Sequence, residues 1–560
     1  MSTETRPDAS SEKSPGTAET AQSGHKTFLL PPVTRERTTL WIMLASLIPL
    51  TLWGAGHIEF DLRALGSGFN DVANLLARML PPEVSDPPRV FDLLLETLMM
   101  ALLGTVLATL ISIPLAFCAA ANTTPHPLVH RAARMIITMC RAIPDLVFAV
   151  LFVRALGIGI MPGILALGLH SVGMMAKLFA DAIESSESGP REAVRATGAG
   201  RMGELLMGVL PQVVPSWIGT FIYRIDINLR TSVVLGFVGA GGIGFALQDS
   251  LRGLMYENAM GIVLIILLVI AAMEILSIGL RRTLLNPSFS GPAPRAIGPD
   301  SAIRPPWNSE RIMRTAAGSA VVVAVFCSMA ALRINPLTPL LNMGEIAAVF
   351  GKLLPPSIDG VEVLLIQAAI ETLAIGLVAT VIGAVLAVPV GVLAASNISP
   401  SAPVYFAART LVLVVRAIPE LILAVVFVAA IGLGPMAGAM ALAVGTIGFL
   451  GKLVADSIEE IPLGPLEAVR AVGGGWWDQL LNAVIPQTMP QLIGHLMYML
   501  DVNIRTSTVL GIVGAGGIGF LLMESVRTLN FNVAGTIILL IFAIVFIIER
   551  LSAWIRKHVA

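Results

Sequence analysis

DINLRTSVVLGFVGAGGIGFALQDS occupies residues 226–250, and DVNIRTSTVLGIVGAGGIGFLLMES occupies residues 501–525. Eighteen of these 25 positions are identical, at an offset of 275 residues. The same offset aligns Glu96 with Glu371, Arg141 with Arg416, Glu192 with Glu467 and Pro211 with Pro486, so the register holds without a gap over more than 150 residues. Solenoid units repeat every 20 to 50 residues or so. A repeat this long is a duplicated domain, and the function expected of it needs two similar halves facing each other.

Composition sets the class. Of 560 residues 55% are hydrophobic and only 13% charged, the mean hydropathy is +0.83, and soluble domains carry roughly 25% charged residues. The chain therefore reads as an all-α integral membrane protein. A net charge of −1 argues against a nucleic-acid partner. Cys118, Cys140 and Cys327 lie in apolar stretches without metal-ligand spacing, so they read as small buried hydrophobes and no metal site is expected. Residues 1–39 are rich in Ser, Thr, Glu, Pro and Gly and lack the layout of a secretory signal. They cannot bury enough apolar surface to fold alone and are expected to form a disordered cytoplasmic tail.

A helix crossing ~30 Å of hydrocarbon needs about 20 apolar residues. Spans are expected near 40–57, 92–120, 133–157, 160–182, 209–237 and 258–281, and again near 314–333, 367–395, 408–432, 435–457, 484–512 and 533–555. The runs are continuously apolar, which favours helices over a barrel. With both termini in the cytoplasm, the clusters Arg131/Arg134, Arg191/Arg195/Arg201, Arg281/Arg282 and Arg556/Lys557 all fall inside. Residues 286–312 are Pro-, Gly- and Ser-rich and read as a cytoplasmic linker between the two repeated domains, 40–285 and 313–560. Six spans per half give both copies the same orientation, related by an axis along the membrane normal.

Between spans four and five lies ESGPREAVRATGAGRMGELLMGVLPQ (187–212), matched by EIPLGPLEAVRAVGGGWWDQLLNAVIPQ (460–487). Pro190 and Pro465 suit a first helical turn. Glu192 with Arg195, and Glu467 with Arg470, are spaced to pair at i,i+3. Ala193 and Ala468 keep one face small, and Gly198 and Gly473 suit a helix stop with positive φ. The product is a short helix with a flat surface. These loops resemble the EAA signature of permease subunits of binding-protein-dependent ABC importers, with Glu192-Ala193-Val194, Gly198 and Leu210-Pro211 in one copy and Glu467-Ala468-Val469, Gly473 and Ile485-Pro486 in the other. The third letter is Val rather than Ala in both. The resemblance implies a type I (MetI-like) transmembrane fold, and loops that dock on two separate ABC ATPase subunits at the cytoplasmic face. ATP and Mg belong to those subunits; in this chain Gly451-Lys452 is followed by Leu in an apolar span and is no P-loop.

Gly239–Gly244 and Gly514–Gly519 match GxGxxG, but a transmembrane run precedes each and no βαβ unit surrounds them. They are expected to make a tight turn at the outer face or to let backbones pack closely. Polar groups inside spans are candidate functional residues. Span five carries Asp226, Asn228 and Arg230, repeated as Asp501, Asn503 and Arg505; span three carries Arg141 and Asp145, repeated as Arg416 and Glu420. Asp226 and Arg230 lie four apart and can neutralise each other. Two readings stay open: a packing network, or arginines that face a central cavity and steer an anion.

RAIP[DE], the EAV loop and D-x-N-x-R-x-S-x-VLG-x-VGAGGIGF together resemble the phosphonate-type ABC permeases (the PhnE family) over residues 92–282 and 367–557. That resemblance implies import of phosphonate, phosphate or phosphite across the bacterial plasma membrane, with ligand delivered by an extracytoplasmic binding protein and no catalytic site in this chain. Family members are usually single-copy chains that dimerise; here both copies are fused. A secondary transporter with 6+6 parallel repeats and a membrane enzyme using the glycine segments are the alternatives.

Overall fold

The computed structural model describes residues 47–285, 309–335 and 337–559. The expected tail and residues 286–308 of the expected linker lie outside them, while residues 309–312 of that linker already belong to the helix Ser309–Ala331. Among the described residues all regular structure is helical. Seven helices are long and apolar enough to cross a membrane, and three bent pairs qualify when each counts as one span.

The first half runs α1 (Pro87–Ala119), α2 (Pro127–Ala142), α3 (Asp145–Leu156), α4 (Ile160–Glu184), α5 (Ser188–Ala196), α6 (Leu210–Gly236), α7 (Ile243–Arg252) and α8 (Tyr256–Leu285). The second half repeats the order as α9 (Glu362–Leu393), α10 (Ala402–Ala417), α11 (Glu420–Ile431), α12 (Pro435–Glu459), α13 (Gly464–Ala471), α14 (Ile485–Leu510), α15 (Ile518–Arg527) and α16 (Phe531–Val559). Local chemistry sets the boundaries. The Asp86 carboxylate accepts from the Arg89 amide at 3.2 Å and Pro87 opens α1, a side-chain cap followed by a residue with no amide to satisfy.

The expected continuous spans 133–157 and 408–432 are each two helices. α2 and α3 meet at 88°, α10 and α11 at 85°. Proline forces its predecessor out of the helical region, and Ile143 sits extended at φ −85°, ψ 123°. Asp145 then opens α3 with its carboxylate accepting from the Leu146 amide at 2.8 Å, an anion at the positive end of a helix.

Within each half, α1 packs on α4 and α9 on α12 through small residues. A Cβ on Gly168 would strike Leu107, and one on Gly391 would strike Val454. Close backbone approach of this kind holds helices together in lipid, where apolar burial alone gives little drive. The halves also interlock. The helix Leu62–Arg78 lies on α11 of the other half, and Met343–Lys352 lies on α3. Leu229 and Val233 share an apolar cluster with Ile375 and Leu421. At the α5/α13 end each half keeps its own core instead, around Phe179 and Trp217 in one and around Val454 and Leu480 in the other.

The opposite end carries the two glycine loops. Gly239, Gly241 and Gly242 have φ of 90°, 81° and 77°, and Gly514, Gly516 and Gly517 have 89°, 76° and 76°, values that L side chains disfavour. The loop carbonyls of Gly239 and Gly514 accept from the amides of Gly159 and Gly434 at 3.1 and 3.0 Å. The first amides of α7 and α15, Ile243 and Ile518, donate to the Thr97 and Thr372 hydroxyls at 2.8 and 2.7 Å. Both expected roles, tight turn and close packing, are met together, and no strand precedes either loop.

Candidate functional site

The charged residues of spans three and five gather at the seam between the halves. Arg141 at the end of α2 pairs with Glu549 of α16. Its counterpart Arg416 at the end of α10 pairs with Glu274 of α8 at 3.0 Å. Each ion pair therefore crosses from one half to the other. Arg230 pairs with Asp226 at 3.2 Å and with Glu274 at 3.4 Å, and donates to the Arg416 carbonyl at 3.1 Å. Arg505 pairs with Asp501 at 2.8 Å. The i,i+4 neutralisation holds in both copies, and its arginines are anchored at the seam, most firmly on the Arg230 side.

A cavity of about 350 Å³ opens at this seam, lined by Arg141, Lys177 and Arg224 from the first half and by Asp501, Arg505 and Glu549 from the second. Arg224 is only 4% exposed. Its Nε donates to the Ser171 hydroxyl at 2.8 Å and its Nη1 reaches the Met174 sulfur at 3.2 Å.

The two asparagines stand elsewhere. Asn228 is fully buried inside its own half, donating to the Thr105 hydroxyl at 2.8 Å and accepting from Ser171 at 3.1 Å. Asn503 donates to Thr380 at 2.9 Å and to Thr446 at 3.0 Å. Both tie helices together, away from the seam pairs. Asp145 and Glu420 open α3 and α11 in their first turns, Glu420 beside Gly445, and both stay near the seam, with Asp145 within electrostatic reach of Arg224 and Glu420 within reach of Arg230.

Three charged residues escaped the sequence reading. Glu274 and Glu549 stand 275 residues apart in apolar spans, so the repeat offset already flagged them. Arg224 has no such signal. Met499 occupies its place in the second copy, and attention to repeated residues passed over it.

At the other end, α5 and α13 lie on the surface, α13 tacked to its half's core by the buried Leu466. Glu192, Ala193, Arg195, Glu467, Ala468 and Arg470 are all exposed. Gly198 and Gly473 end the helices with φ of 81° and 79°. The expected i,i+3 pairs do not form. Arg195 turns to Glu204 at 3.8 Å, a carboxylate that Arg191 already clamps at 2.6 Å. Arg470 donates to the Gln479 side chain at 2.9 Å and to the Asn397 carbonyl at 3.0 Å. Residues past each glycine hold the loop from behind, so the arginines serve packing and the glutamates stay free for solvent. Arg201 donates to the Thr123 carbonyl at 2.7 Å, and Trp476 donates to the equivalent Ile398 carbonyl at 2.7 Å. Different side chains thus perform one anchoring role in the two copies. Behind each loop, at Glu204–Val209 and Leu480–Val484, the helix widens to a π turn before α6 and α14, a distortion frequent at functional sites.

A family model described as the inner membrane component of binding-protein-dependent transport systems matches residues 112–289 and 387–560. The phosphate-import permease protein PhnE of Mycolicibacterium smegmatis is 58% identical over 508 residues, covering 91% of this chain and 93% of that protein. The phosphite transport system permease protein PtxC of Stutzerimonas stutzeri is 44% identical over 42% of this chain and 84% of its own length. A solved methionine ABC transporter in an inward-facing conformation matches 36% of this chain and 99% of its own, at 28% identity and a TM-score of 0.34.

Proposed function

The chain belongs to the inner membrane components of binding-protein-dependent transport systems, and on that premise we propose that it is the complete permease of an ABC importer for a phosphorus oxyanion. Permease components of this kind are not catalysts. The observation that carries the reading is the pair of exposed Glu-Ala-Val helices, α5 and α13, set at equivalent places on one end of a fused pseudo-two-fold dimer.

Each helix docks on one ABC ATPase subunit in the cytoplasm, so one chain serves two. The loops are held rigidly to the α1–α2 and α9–α10 connections through Arg201 and Trp476. ATPase closure therefore moves α4 and α6, or α12 and α14, as bodies. Separate apolar cores at this end and shared cores at the other support a seam that opens toward the cytoplasm in this conformation. The glycine loops then face the outside, where a phosphonate- or phosphate-binding protein delivers ligand, and both termini lie inside. The type I importer arrangement and the arginines of the seam fit this cycle. Arg141, Arg230, Arg416 and Arg505 place guanidinium groups along the seam, each held by a carboxylate. Phosphate and phosphite are named for the similar permeases, and phosphonate is the third member of the class.

Read as a secondary transporter, the chain leaves α5 and α13 without a partner. Purification from the host membrane should yield a complex with two ATPase subunits. Replacing Glu192→Gln together with Glu467→Gln should leave ATP hydrolysis but abolish its coupling to uptake. Uptake driven by an ion gradient in vesicles containing this chain alone would overturn the reading.

A further inference from the structure

Arg224 has no carboxylate within ion-pair distance. Arg141 and Arg505, which line the same cavity, are matched by Glu549 and Asp501. Arg224 contacts a hydroxyl and a thioether. Asp145 attracts it from beyond ion-pair distance. A guanidinium buried at 4% exposure is costly in a membrane interior unless an anion balances it. We propose that the seam cavity is a transmembrane binding site for one tetrahedral phosphorus oxyanion, with Arg224 as the residue that receives it.

The side chain is held ready for this. Its Nε is fixed by Ser171, Ser171 donates to Asn228 at 3.1 Å, and Asn228 donates to Thr105 at 2.8 Å. Asn228 is thus a positioning residue, acting through Ser171. The guanidinium offers five donors in a planar fork suited to phosphate-like oxygens. A neutral hydroxyl and a weak sulfur acceptor leave most of that capacity unused. A cavity of about 350 Å³ has room for such an anion with part of its hydration, since one water takes up about 30 Å³ of liquid.

The second half keeps the relay, with Asn503 bonded to Thr380 and Thr446. It carries Met499 where Arg224 stands, and Gly445 where His170, a further residue of the cavity lining, stands. The site is therefore single and one-sided, and the two copies are unequal where the ligand passes. The ligand class rests on the importer reading; the existence of an anion site rests on Arg224 alone.

Equilibrium binding of radiolabelled inorganic phosphate to the full chain in lipid nanodiscs, without ATPase or binding protein, tests this. The wild type should bind one phosphate per chain, with sulfate competing. Arg224→Met, which installs the residue the second copy already tolerates, should weaken binding about tenfold or more. Arg224→Lys should retain part of it, and Ser171→Ala should weaken it less than Arg224→Met. Phosphate should raise the melting temperature of the wild type and leave that of Arg224→Met unmoved. Absent binding at millimolar phosphate, two equal sites per chain, or equal affinity in Arg224→Met each overturns the site. Sulfate or phosphonate binding without phosphate binding moves the ligand class and overturns the phosphate assignment. ATP-driven uptake by the reconstituted complex is scored separately: its absence in the wild type refutes the importer reading, whereas normal uptake beside absent binding refutes only the site.

Discussion

Replacing Glu274→Gln strips one carboxylate from two arginines at once. Its oxygens lie 3.0 Å from Arg416 and 3.4 Å from Arg230, and its side chain is 13% exposed. The equivalent Glu549 is 27% exposed and serves Arg141, while Arg505 keeps Asp501 at 2.8 Å. Removing one partner of a buried ion pair costs about 3–5 kcal/mol. Arg416 and Arg230 retain 15% and 20% exposure, and Arg230 retains Asp226, so the loss falls below that range. We expect about 2–3 kcal/mol for Glu274→Gln and about 1–2 kcal/mol for Glu549→Gln. Unfolding free energies from denaturing-detergent titration of the purified chain measure both. Replacing Glu274→Met together with Arg416→Met removes both charges of a pair, and stability should then return to within about 1–2 kcal/mol of the wild type, less than the sum of the two single losses. If both Gln variants lose less than about 0.5 kcal/mol, the scale of an ordinary surface change, or if the double variant is merely additive, the cross-half pairs do not hold the seam.

Four further outcomes follow from the packing. In the first half Trp217 stacks on Phe179 at 4.6 Å and meets Phe117 edge-on at 5.8 Å. The second half has Leu492, Val454 and Val392 there, around an apolar cavity of about 550 Å³. Trp217→Leu should lower unfolding free energy by about 2–4 kcal/mol, whereas Leu492→Trp should change it by less than about 1.5 kcal/mol. Gly198→Ala should lower stability by about 1–2 kcal/mol through its φ of 81° alone, since open space surrounds it. Gly244→Ala should prevent stable expression, because its Cβ would run into the Val233 carbonyl, and a normal melting curve would contradict that packing. Arg201→Ala and Trp476→Phe should each speed hydrogen exchange in α5 or α13 by up to about tenfold, the loss of one hydrogen bond of about 1 kcal/mol; unchanged exchange would show that the loop carbonyls do not anchor them.

Much of the architecture was open to reading along the chain. The 275-residue offset announced the two-fold before any contact was known. The apolar runs announced the spans, because a helix in lipid satisfies its own backbone and needs only length and hydropathy. The Asp226–Arg230 pairing was equally readable, since four residues place both on one helix face. The break at Ile143-Pro144 is a local signal too, carried by the proline within the apolar run.

Other features depended on residues far apart in sequence. Glu274 reaches Arg416 and Arg141 reaches Glu549 because α8 packs on α10 and α16 on α2 across the halves. Glu192 and Arg195 had the spacing to pair, yet Glu204, brought round by the π turn, took Arg195 instead. Asn228 and Arg230 are two residues apart, and one is packed inside its half while the other meets the seam. Span, repeat and turn are thus written in hydropathy, period and glycine, each a property of neighbouring residues. Which buried charge finds an ion-pair partner, and that Arg224 finds none, depends on how rigid helices pack across the two-fold, a relation that no local pattern encodes.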